Sequence, residues 1–147
     1  MYRRLIIAAV FLLAAAGVAL ASKDLSLQEL EAKAEAARLE DRPQLYVEIA
    51  QQQLTAASES YKAGKAEQAR AAVDDVVLYA GKARDASIQS GKKLKNTEIN
   101  MRKMAAKLRD LKHTLNFDDQ GPVQAAADQL ESMRSDLLSH MFSKGKR

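Results

Sequence analysis

Two histidines, His113 and His140, are the only side chains in the sequence that titrate near neutral pH, and there is no cysteine. A metal site needs its ligands on one wall. His113 falls near the end of one helical stretch and His140 near the end of the next, so an antiparallel pairing of the two sets them at opposite ends. Haem held between an axial His and Met would call on Met101, Met104, Met133 or Met141, but each lies on an apolar helical seam where methionine serves as core. No Cys-x-x-Cys-His is present for covalent attachment. Asp74-Asp75 and Asp118-Asp119 are acidic pairs, yet neighbours on a helix point about 100° apart, and the second pair is expected in a loop. Two-carboxylate catalysis needs both groups on one cavity wall. With no nucleophile beside a base and no glycine-rich phosphate loop, the residue types argue against an enzyme, and no cofactor or metal is expected.

The basic residues carry more. Lys95, Arg102 and Arg109 are spaced by seven, which lines them along one side of a helix about 10.5 Å apart, with Lys92, Lys103 and Lys107 nearby. Such a row can track a polyanion. No aromatic residue lies between Lys92 and Leu115 to stack on bases, which argues against a nucleic-acid partner. Residues 61–113 carry 13 basic and 6 acidic side chains, whereas residues 22–60 carry 4 and 8. The middle of the chain is basic and its flanks are not, a statement about association rather than fold.

The element that must present this row is a heptad seam. From Ala69 the small or apolar positions return in steps of four and three through Val73, Val76, Ala80, Ala83, Ser87, Ser90, Leu94, Thr97, Met101, Met104, Leu108, Leu111 and Leu115. No proline interrupts it, and Gly81 and Gly91 each weaken a helix by only about 1 kcal/mol. The spacing predicts one helix over residues 66–115, about 75 Å long. Around it, Ser26 and Glu29 form a capping box opening a first helix. Pro43 starts a second, running to Lys62 and closed by Gly64. Gly121-Pro122 starts a last helix, with Asp118 and Asp119 where its dipole favours negative charge. The fold expected is all-α, an antiparallel helical bundle organised on that long central helix. A break near Gly91 would instead close the segments into a compact four-helix bundle.

The hairpin from Gln53 to Gly81 resembles a tetratricopeptide-type unit. The residues that carry the likeness are Ala57, Tyr61, the run Gly64-Lys65-Ala66-Glu67-Gln68-Ala69, and Val73. The family's tryptophan is replaced by Gln53, its leucine by Ala56 and its closing proline by Gly81, and no second copy follows about 34 residues later. The resemblance implies a single repeat-like hairpin able to dock a protein segment. We expect that groove at Leu45, Ile49, Tyr61 and Tyr79.

The N-terminus reads as an export signal. Arg3 and Arg4 precede an apolar run from Leu5 to Leu20, and Ala19-Leu20-Ala21 fits cleavage before Ser22. Without cysteine there is neither a disulfide nor a site for lipid attachment, so the all-helical domain expected over residues 22–142 rests on its core alone, with a disordered basic tail at 143–147. As a whole the chain resembles small exported helical proteins of bacteria, which implies the periplasm or the exterior. The function expected is a non-enzymatic interaction or structural module that binds a protein partner in the cell envelope. The alternative is peripheral binding of anionic envelope components, namely lipid head groups, lipopolysaccharide or wall polymer, through Lys92, Lys95, Arg102, Lys103 and Arg109. Haem or metal carriage is a further alternative, and a second copy of the chain could cover the long seam.

Overall fold

The computed structural model describes residues 15–143, with side chains from Ser26 onward. It contains five helices: α1 Ala15–Ala36, α2 Arg42–Lys62, α3 Ala66–Ser90, α4 Leu94–His113 and α5 Phe117–Ser143. Among the described residues there is no strand. Most of the expected signal segment, residues 1–14, and the tail beyond Ser143 lie outside the described residues. No described helix is long and apolar enough to cross a membrane.

The continuous 66–115 helix is not formed. Gly91 adopts a left-handed backbone (φ 68°) and closes α3, its N–H bonding the Ser87 carbonyl, and Lys93 is left-handed as well (φ 61°) before α4 begins. The decisive contact is Ser87 Oγ to Thr97 Oγ1 at 2.7 Å, a buried pair ten residues apart. One straight helix would hold those residues about 15 Å apart. The chain therefore turns back, and the alternative broken at Gly91 is the fold. The reason is burial: only when the chain folds back at Gly91, so that α4–α5 pack on α2–α3, is the seam from Ala69 to Leu111 enclosed, and most of it is buried.

Two hairpins result, α2 with α3 and α4 with α5, and they stack with like helices adjacent. Arg70 meets Asp119 and Arg84 meets Asp136, so α3 and α5 run parallel. Gln51 meets Asn100, joining α2 to α4. Consecutive α3 and α4 thus sit across a diagonal and touch near their turn. The shared core holds Ile49, Val76, Met101, Met104, Leu108, Val123, Leu130 and Leu137, all essentially inaccessible.

Three local expectations need correction. Ser26 does not open a helix; α1 enters from Ala15, because the alanine-rich stretch before it propagates helix without a stop. α5 starts at Phe117, before Gly121-Pro122, since Asp118 and Asp119 in its first turn already favour that end. The first helix, expected to be the second partner of the start of the long one, packs mainly on α2 and is peripheral, and α5 is the second partner of α3.

α1 ends against two arginine bonds: Arg42 donates Nε to the Ala37 carbonyl and Nη2 to the Glu35 carbonyl, filling acceptors that a helix end leaves open. Its flank is held by Lys82. That ammonium lies 5.6 Å from the centre of the Tyr46 ring and 5.4 Å from that of Tyr79, and reaches Glu31 at 3.8 Å and Glu35 at 3.7 Å. The two rings stack at 6.3 Å, and the Tyr46 hydroxyl donates to Glu35. Lys82→Ala is expected to weaken α1 docking by on the order of 1 kcal/mol. Amide exchange should quicken across residues 27–36 while α2–α5 keep their protection.

Burial pushes the Tyr79 hydroxyl up to about 12 from 10.0, with the Glu31 carboxylate adding to the shift. The folded chain holds that proton more tightly than the unfolded one. Its stability is therefore whole below pH 10 and is lost as pH rises through about 12, by roughly 2–3 kcal/mol. Tyr46 and Tyr61 are raised too, first by burial, and act in the same direction. A urea-midpoint series across the alkaline range should fall steeply, and Tyr79→Phe should flatten it.

Candidate functional site: the outer face of α4

α4 is amphipathic, and its inward residues Thr97, Met101, Met104, Ala105, Leu108 and Leu111 fix which side faces out. Lys95, Arg102, Lys103 and Lys107 are exposed along that outer side, with Lys92 and Lys93 exposed in the turn before it. None of these six has a carboxylate within ion-pair distance among the described residues.

Arg102 stands apart from the other described arginines. Arg38, Arg70, Arg84, Arg109 and Arg134 are salt-bridged, and Arg42 bonds carbonyls, whereas Arg102 has no bonded partner among the described residues. Arg109 is the exception within the expected stripe: its guanidinium turns to α5 and meets Glu131 at 3.2 Å. It belongs to a chain of charges in which Glu131 also meets Arg134 at 3.3 Å, and Arg134 meets Glu98 at 2.6 Å. Glu98 is buried, so this network ties α4 to α5. The sequence held a signal for it, since Glu98 precedes Met101 by three and Ala105 by seven and so must lie on the covered flank.

The expected partner groove is not present as such. Ile49 is fully buried and Tyr79 only 5% exposed, so both belong to the core. Leu45 is half-buried beside the end of α1, and Tyr61 is half-buried with a hydroxyl that finds no hydrogen-bond partner. Burial raises that hydroxyl, Asp119 adds to the shift, and Arg70 opposes it. The four residues do not line one surface because α1 and α5 cover the face that a lone hairpin would leave open.

A different depression exists between α2 and α4, a cavity of about 480 Å³ with Leu54 and Leu111 in its lining and Glu59, Lys62, Lys107 and Asp110 around it. Comparison with protein-family models, curated proteins and solved structures finds no match. His113 is exposed at the end of α4 and His140 half-buried near the end of α5, which the α4–α5 hairpin sets at opposite ends. Met101, Met104 and Met133 are buried in the core, and Met141 is half-buried. Of the acidic pairs, Asp119 is engaged by Arg70, and the Asp75 carboxyl is raised by burial, with Asp74 and Glu31 adding.

Proposed function

We propose that the protein is a non-enzymatic helical module that docks on an anionic membrane surface of the cell envelope through the outer face of α4. The observation that carries this reading is the row of cations without ion-pair partners among the described residues, Arg102 above all, on a chain whose other described arginines are engaged. Lys95 and Arg102 lie about 10.5 Å apart along the helix. They do not converge on a point, so they suit an extended layer of anionic head groups better than one small ligand. Each such cation near an anionic bilayer contributes about 1 kcal/mol, an attraction that salt screens. The expected export places the domain beside a membrane.

Vesicle co-sedimentation tests this. Purified protein should pellet with phosphatidylglycerol-containing vesicles, not with phosphatidylcholine vesicles, and should be released by salt. Equal binding to both, or binding indifferent to salt, would overturn the reading. A second reading, docking of a protein segment, is favoured by the α2–α4 depression, whose lining combines Leu54 and Leu111 with Glu59 and Lys62 of α2 and Lys107 and Asp110 of α4. A defined protein retained from an envelope extract at high salt, and lost on Leu54→Lys, would support it.

A further inference from the structure

The turn between α3 and α4 is where the sequence pattern and the fold diverge. The seam passes through Ser87, Ser90, Leu94 and Thr97 without losing step. A straight helix requires that continuity, whereas a three-residue turn leaves the phases of its two helices independent. About Lys92 the seam is also symmetric, with Ser87 opposite Thr97, Ala83 opposite Met101, Ala80 opposite Met104 and Val76 opposite Leu108. In the sequence, the α3 member of each of these pairs is smaller than its α4 counterpart.

The turn itself is strained. Lys93 is the one non-glycine residue with positive φ among the described residues, and left-handed geometry is disfavoured for an L side chain. Its side chain caps nothing. Straightening residues 91–93 into helix would relieve that strain and add backbone hydrogen bonds. Short, strained hinges of this kind favour exchange of elements between copies.

We propose that the chain has a second, domain-swapped form in which residues 66–113 make one continuous helix and α4–α5 of one copy pack on α2–α3 of another. The partner is a second copy of this chain. The twofold axis would pass at Lys92, and the Ser87–Thr97 pair, with Arg70–Asp119 and Arg84–Asp136, would re-form between copies. Lys92, Lys93 and Lys95 of both copies gather at that axis. Their repulsion favours the monomer at low ionic strength, and salt favours the dimer.

The test measures solution mass and connectivity on the full chain. The monomer has a mass of 16.1 kDa. Light scattering should find a dimer fraction that rises with concentration and salt after slow refolding. Gly91→Ala/Lys93→Ala should raise the association constant at least tenfold, and Lys93→Gly should lower it. In a chain without native cysteine, Ser87→Cys/Thr97→Cys reports the pairing: on oxidation the monomer closes its disulfide within one chain, and the dimer gives a covalent pair on a denaturing gel. The native hinge keeps the test valid if the alanine variant does not fold. A chain that stays at the monomer mass in every condition, or a dimer whose cysteines close only within chains, overturns the proposal.

Discussion

Leu130→Ala is expected to lower the stability of the chain by about 3–4 kcal/mol. Leu130 is fully buried on α5, the helix that packs against both α4 and α3. Removing its branched end loses the transfer of that apolar surface and leaves a cavity among side chains fixed from several helices, which cannot close around it. For a domain with no disulfide and a total stability on the order of 5–15 kcal/mol, that is a large share. Urea unfolding should show a lower midpoint at an unchanged slope. The half-buried Leu138→Ala, on the same helix, should lose distinctly less, and equal losses at the two positions would contradict the packing described.

The triple change Lys95→Gln, Arg102→Gln and Lys103→Gln is expected to weaken binding to anionic vesicles by roughly a hundredfold, because three cations at about 1 kcal/mol each are removed. All three are exposed and unpaired among the described residues, so folding stability should hardly move. Arg109→Gln is the contrast. It breaks the ion pair with Glu131 and should affect vesicle binding much less. A triple variant that binds as the parent does would remove the α4 face from the mechanism.

The seam was legible in the sequence because burial repeats at fixed steps: most positions from Ala69 to Leu111 are inward. The break at Gly91 was legible only as the alternative, since a left-handed helix end needs a single glycine and the phase of the seam survives it. Exposure of Lys95, Arg102 and Lys103 followed from helical geometry. The turn of Arg109 toward Glu131 did not, because its partner lies 22 residues away on another helix. Ile49 and Tyr79 were misplaced for a related reason. A face widened beyond one seam can dock a partner or receive further helices, and here α1 and α5 take it.

The stacking of two hairpins has a consequence for the order of assembly. Each hairpin joins helices that follow one another directly; between hairpins only Ser87–Thr97, at the turn, is local, while the bonds along their length span 49 residues at Arg70–Asp119 and 52 at Arg84–Asp136. Helices form in about a microsecond, and contacts distant in sequence must first meet the cost of closing a long loop. Folding is thus expected to pass through two early hairpins that collide later. Whether a hairpin meets its own sibling or a neighbour's is decided at that second collision, so protein concentration during refolding sets the product.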